Sequence, residues 1–210
     1  MKWYSNNYRR HLLDMHIADF DERFLSEFSA EDYFQNLKNA RVTAAMIYFQ
    51  SHAGFCNYPT KSGKMHNAFI GRENEIKKLV DLCRADGIKV IGYYSLVYNT
   101  WAEDSHPEWR IVHEDGESNR TKGSRYGLCC PNNPDYRKFV YEQIKEMSEI
   151  YTVDGMFYDM PFWQLLLWRL LNYLLVGSVE GALLCAVMKN KAVASLQRRY
   201  GAKRGNEREI

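Results

Sequence analysis

Four apolar runs alternate with three amphipathic stretches between residues 11 and 158, and this alternation constrains the fold more than any other feature. The runs are "HLLDMHIAD" (11–19), "VTAAMIYF" (42–49), "IKVIGYYSL" (88–96) and "VDGMFY" (153–158). The first is short and turns polar at its end. The others are continuous rather than alternating, as strands are when both of their faces are covered. Between them, "SAEDYFQNLKNAR" (29–41) opens on Ser29 as an N-cap, carries acidic residues in its first turn and aligns Tyr33, Phe34 and Leu37 on one face. "RENEIKKLVDLCRADG" (72–87) aligns Ile76, Leu79, Val80 and Cys83 and stops on Gly87, a C-terminal helix signal. "PDYRKFVYEQIKEMSEIY" (134–151) starts with Pro134 and repeats Phe139, Ile144 and Met147 on one side. The order β-α-β-α-β-α-β implies parallel strands joined by right-handed crossovers.

Two architectures have this order: an open doubly wound sheet, or the first half of a (β/α)8 barrel. No G-x-G-x-x-G follows the first strand and no phosphate loop appears, so the nucleotide-binding open sheet lacks its usual signature. Polar and aromatic residues gather instead after the C-terminal end of every strand, where barrel enzymes build their sites. The expected fold is therefore α/β, the N-terminal half of a TIM barrel over residues 1–163, followed by an atypical helical tail over 164–210. The irregular stretch 97–133 is long for a loop, and long loops in compact domains carry function or are disordered.

The strand ends supply Asp14, His16 and Asp19, then Tyr48, Gln50 and His52, then Tyr93, Tyr94, Ser95, Tyr98, Asn99 and Trp101, and finally Asp159, Phe162 and Trp163. Parallel barrel strands bring these ends to one mouth. Carboxylates and amides there bond hydroxyls, and aromatic rings cover the C–H faces of a sugar, so the mouth suits a neutral polyol. The set has no Cys/His cluster of metal-site spacing, and neither a metal nor an organic cofactor is expected. Each residue also has a structural reading. His16 fits a satisfied rim histidine, Asp154 a cap to the fourth strand, and "HPEW" (106–109) either a covering loop or a surface turn. Tyr93 and Tyr94 alternate, so one faces the barrel interior and the other packs under a helix. Asp159 ends an apolar strand, where an unpaired charge is costly.

Composition narrows the partners. A formal charge of +2 gives no general pull toward nucleic acid or a membrane surface. The five cysteines, Cys56, Cys83, Cys129, Cys130 and Cys185, are odd in number and contain no C-x-x-C, which fits free thiols in a reducing, cytoplasmic setting. "MKWYSNNYRR" has no apolar core of a signal peptide.

The stretches "GIKVIGYYSLVYNTWAEDSHPEWRI", "RYGLCCPNNPDYR" and "VDGMFYDMPFW" resemble the N-terminal part of a barrel group of hypothetical glycosyl hydrolases and, more distantly, alpha-L-fucosidases. The resemblance covers about residues 8–163. It implies hydrolysis of O-glycosidic bonds with retention, with the fourth-strand aspartate, Asp159, as nucleophile. It further implies His16, His52 and Tyr94 as sugar contacts, to which the aromatic mouth adds Trp101 and Trp163. The paired-His motif of true fucosidases does not follow the second strand, which leaves the sugar open. No second carboxylate for the acid/base role stands out. Glu103, Asp104 and Glu108 lie in the third-strand loop.

After Trp163 the pattern changes. Residues 164–188, "QLLLWRLLNYLLVGSVEGALLCAVM", are mostly Leu, Val and Ala. They read as a membrane helix interrupted by Arg169, Asn172 and Glu180, as a buried core helix, or as a shifted reading frame. The frame reading makes the chain a truncated, weakly active hydrolase whose exposed sheet edges favour self-association. The alternatives are a non-catalytic carbohydrate-binding module and a protein tethered to a membrane through 164–188.

Overall fold

The computed structural model describes residues 2–118, 120–121 and 123–160, so the tail and Trp163 lie outside the described residues. Along the chain run β1 (Arg10–Leu12), α1 (Ala30–Asn39), β2 (Ala44–Tyr48), β3 (Phe55–Cys56), β4 (Lys64–Met65), α2 (Glu75–Ala85), β5 (Lys89–Ser95), α3 (Thr100–Ser105), α4 (Pro134–Ile150) and β6 (Gly155–Asp159). Strands β1, β2, β5 and β6 form one sheet in that order. Every pairing in it is parallel. Chain order equals spatial order, as in consecutive units of a (β/α)8 barrel; a doubly wound sheet would reverse direction. Strands β3 and β4 pair separately within the loop after β2.

The helices form where their caps and faces specify them. Ser29 Oγ accepts the Asp32 N–H at 3.1 Å and starts α1, with Glu31 and Asp32 in its first turn. Helix α2 buries Ile76, Leu79, Val80 and Cys83, and Gly87 follows it at φ +79°, a left-handed conformation that glycine takes without strain. The Asn133 side chain accepts from the Asp135 and Tyr136 N–H groups, Pro134 opens α4, and its buried face runs through Tyr136, Phe139, Val140, Gln143, Ile144 and Met147.

One strand is shorter than its sequence suggests. Only Arg10–Leu12 pairs with β2, and all three residues are exposed. Beyond Leu12 the backbone turns on its own side chains: the Asp14 carboxylate accepts the His16 N–H at 3.1 Å, and the Ile17 N–H reaches Met15 O. Short polar side chains compete with the sheet for backbone partners in this way. Asp154 takes its structural role, accepting from Lys89 Nζ at 2.9 Å and the Val90 N–H at 3.0 Å. "HPEW" folds as a turn in which the His106 ring stacks on buried Trp109, centroids 3.7 Å apart. No helix among the described residues is long and apolar enough to cross a membrane.

Register sorts the sheet into two faces. The pairs Tyr48↔Tyr93, Tyr93↔Phe157 and Ser95↔Asp159 place Tyr48, Tyr93, Ser95, Phe157 and Asp159 on one face at the C-terminal ends of the strands. Tyr94 and Tyr158 pair on the other. The site is built on the first of these faces.

Candidate active site

Asp159 is the last residue of β6. Its Oδ2 accepts the hydrogen bond of the Tyr93 hydroxyl, and its Oδ1 accepts the Met160 N–H at 2.9 Å. Met160 sits at φ +54°, a region that non-glycine residues rarely occupy. That turn aims its N–H back at the carboxylate. The Asp159 side chain keeps 26% of its exposure, so it is fixed by two donors and still open to a ligand. Burial, followed by the bond to Asp159, pushes the Tyr93 hydroxyl well above the ordinary tyrosine range, so it remains a donor.

Two histidines face this carboxylate from the β1 and β2 ends. Their rings stack with centroids 3.8 Å apart at 24°. His16 Nδ1 accepts the backbone N–H of His52 at 3.1 Å. An accepting Nδ1 carries no proton, so the neutral ring holds its proton on Nε2. That nitrogen lies 3.3 Å from Tyr93 Oη, 3.4 Å from Tyr48 Oη and 3.7 Å from Asp14 Oδ1. His52 has the opposite tautomer. The Ser95 hydroxyl donates to Tyr98 O at 2.8 Å, so Ser95 Oγ accepts from His52 Nδ1–H at 2.7 Å. The lone pair of His52 is left on Nε2, 3.7 Å from Asp159 Oδ2.

Both rings are neutral near pH 7. Burial lowers His16 against the raising fields of Asp14 and Asp159. Burial, then the neighbouring His16 ring, lowers His52 to about 4. Aromatic rings wall the opening. Tyr48 stacks on Tyr93 at 3.8 Å and 11°, Tyr126 meets His52 edge-on at 5.2 Å, and Phe157, 42% exposed, lies parallel to Tyr93 at 5.8 Å.

Nitrogens of His16 and His52 and an oxygen of Asp159 lie within 4.8 Å of one another, close enough to suggest a metal trio. Their protonation states fit that role poorly. A metal ligand must offer a lone pair, and His16 Nε2 carries a proton as long as Nδ1 accepts from His52 N–H. Freeing Nε2 would move the proton to Nδ1, against another donor. One imidazole presenting N–H and the other a bare nitrogen is the complement of sugar hydroxyls, which both donate and accept.

The structure therefore brings His16, His52 and Asp159 together, and it does not bring Tyr94 or Trp101 to them. Tyr94 is fully buried on the opposite face, where its hydroxyl donates to Gln143 Oε1 of α4 at 2.7 Å. Tyr93 takes the place at the mouth, because β5 alternates its side chains. The Trp101 ring lies in α3 near His106 and Phe139, centroids 6.4 and 6.1 Å away. The carboxylates of the loop after β5 have other partners: Glu103 and Asp104 meet Arg120, and Glu108 meets His106. Tyr93, Ser95 and Asp14 join the cluster although the sequence did not single them out for a role. The signal for the first two was parity, since residues 93 and 95 share a strand face.

Known proteins share the fold on which this arrangement is built. The chain's fold is similar to that of alpha-L-fucosidase isoenzyme 2 from Paenibacillus thiaminolyticus, with a TM-score of 0.65 and 20% identity over 86% of this chain and 28% of that enzyme. Isoenzyme 1 from the same organism gives a TM-score of 0.50 and 19% identity over 66% of this chain and 32% of that enzyme. At such identity the likeness is one of fold, and this chain spans about a third or less of either enzyme's length. Among curated proteins none matches the sequence. Residues 29–160, well over half of the chain, match the model of the family described as hypothetical glycosyl hydrolase 6. The strand-end carboxylate and its paired imidazoles thus sit in a chain that belongs to the hypothetical glycosyl hydrolase 6 family.

Proposed function

We propose that the site hydrolyses O-glycosidic bonds with retention and that Asp159 is its nucleophile. The supporting observation is the fixation of the Asp159 carboxylate by the Tyr93 hydroxyl and the Met160 N–H at the same mouth as two neutral histidines. In the first step an Asp159 oxygen bonds to the anomeric carbon as the glycosidic C–O bond breaks, and a general acid protonates the leaving oxygen. Water then cleaves the glycosyl ester and restores both groups. His16 Nε2–H donates to one sugar hydroxyl, His52 Nε2 accepts from another, and the exposed Phe157 ring covers a C–H face. Asp14, 70% exposed at the side chain, accepts from Tyr48 Oη at 3.4 Å and suits a further hydroxyl. The reading puts the acid/base on a second carboxyl about 5–5.5 Å from the first. Fucosides are the first substrates to test, because the Paenibacillus enzymes of similar fold are alpha-L-fucosidases. Turnover by this chain is expected to be weak.

The test follows the sugar released from an aryl glycoside by proton NMR before mutarotation. The first anomer formed is expected to match the substrate. Formation of the inverted anomer would exclude Asp159 as nucleophile, and calorimetric binding without any turnover would leave a carbohydrate-binding module instead.

Tyr93 has its own expected effect. Tyr93→Phe keeps the stack on Tyr48 and deletes one hydrogen bond to a charged oxygen. Such bonds are worth about 1.5–3 kcal/mol, so kcat/KM should fall roughly 10- to 100-fold. Steady-state rates of the variant and the parent check this.

A further inference from the structure

Residues 13–29, between β1 and α1, carry His16 without any regular element of their own, and their backbone bonds to one another are local turns. Two contacts near His16 tie this loop to the loop after β2, and Arg72 reaches Ser26 O and Phe28 O at its far end. The first is at the mouth, where His52 N–H meets His16 Nδ1. The second lies two and three residues further on. His66 Nε2 donates to Ala18 O at 3.0 Å, and the Asp19 carboxylate accepts the Asn67 N–H at 3.2 Å. His66 Nδ1 accepts the Ala68 N–H at 3.2 Å, which places the ring proton on Nε2 and makes it the donor to Ala18. The Asp19 carboxylate approaches Nδ1 to 3.4 Å, and the two side chains are only 3% and 2% exposed. Phe55 and Phe69 meet the His66 ring edge-on and hold its plane.

We propose that His66, with Asp19, is a positioning residue that clamps the His16 loop and so keeps the His16 ring stacked on His52 with its Nε2–H at the opening. His66 touches none of the residues around Asp159 described above; it acts through Ala18, two residues from His16. The sugar-binding consequence rests on the hydrolase reading, but the positioning itself does not. Nothing in a purely structural role requires the length of the His66 side chain to matter at His16.

The experiment uses that length. Asparagine places an acceptor where Nδ1 stood and falls short of Ala18, whereas glutamine reaches Ala18 with an amide N–H. The His16 ring resonance is followed by NMR against pH in the full chain. In the parent, burial keeps His16 below the ordinary histidine value. His66→Asn is expected to move its midpoint up toward that value as the ring loses its packing, and His66→Gln to restore the parental curve. With an aryl glycoside that turns over, His66→Asn should raise KM roughly fivefold, the equivalent of one lost hydrogen bond, with kcat little changed. An unmoved His16 midpoint in folded His66→Asn overturns the proposal, as do equal shifts in both variants. Should His66→Asn fail to fold, Asp19→Ala, which removes the Asn67 contact and the carboxylate beside His66 Nδ1, must show the same shift. Failure of the glycosidase reading would abolish the KM effect alone and leave the NMR result standing.

Discussion

Asp159→Asn is expected to lower aryl glycoside turnover roughly 10³-fold or more, because an amide oxygen cannot form the glycosyl ester. The substitution is nearly isosteric. Asparagine keeps an oxygen for the Met160 N–H, and its amide N–H faces Tyr93 Oη, which can accept where it formerly donated. Folding should therefore survive, and the loss should fall on kcat. The affinity for a bound sugar should change far less, since His16, His52 and Phe157 keep their places. Rates from the purified variant, set beside calorimetric affinity for the same sugar, separate the two effects. Turnover equal to that of the parent would remove Asp159 from the chemistry and leave it as a strand-end anchor for Tyr93. The contrast with Tyr93→Phe is itself informative. That variant removes a support of the carboxylate and this one the carboxylate itself, so the nucleophile reading demands a much deeper loss here.

The sequence made the fold legible where local and global signals agreed. Ser29, Gly87 and Pro134 stand at helix ends in the structure as their chemistry requires. The strands β2, β5 and β6 fall within two residues of the apolar runs at 42–49, 88–96 and 153–158. The family was legible in the motifs around "GYYS" and "FYDMPFW", and the family model matches the same region. The first run misled because two of its apolar residues, Leu12 and Leu13, are exposed, Met15 alone of the run reaches the core, and the Asp14 carboxylate bonds the local backbone. At the site, His16, His52 and Asp159 could be named from strand ends alone. Choosing between Tyr93 and Tyr94 needed the register of β5, which a chain of consecutive apolar and aromatic residues does not reveal. Trp101 follows a strand end, yet Asn99 caps a short helix there by accepting the Ala102 N–H at 2.8 Å, and the indole turns toward α4. The two histidine tautomers were out of reach, since they depend on a backbone N–H and on a serine that is itself committed to Tyr98. His66 and Asp19 lie in loops whose approach to each other no periodicity encodes.

Acid should weaken this fold through His52 before it protonates most carboxylates. The folded ring is held at about 4, burial being the main cause, whereas an unfolded histidine titrates near 6.5. Above pH 6.5 both states are neutral and the ring adds no pH dependence. As the pH falls from 6.5 to 4, the unfolded chain binds a proton that the folded chain refuses, so stability drops; below 4 both are protonated and the loss levels off. With the side chain only 9% exposed, the full loss is about 3 kcal/mol. Burial lowers His16 as well, and it contributes with the same sign. His52→Asn isolates the effect, because asparagine keeps a donor toward Ser95 Oγ and cannot titrate. Urea midpoints at pH 7 and pH 4.5 are expected to show the parent losing about 2–3 kcal/mol more than this variant. Equal losses would mean that His52 titrates normally in the folded chain. Its Nε2 would then be a protonated partner of Asp159 near pH 6, not the bare acceptor that a sugar hydroxyl needs.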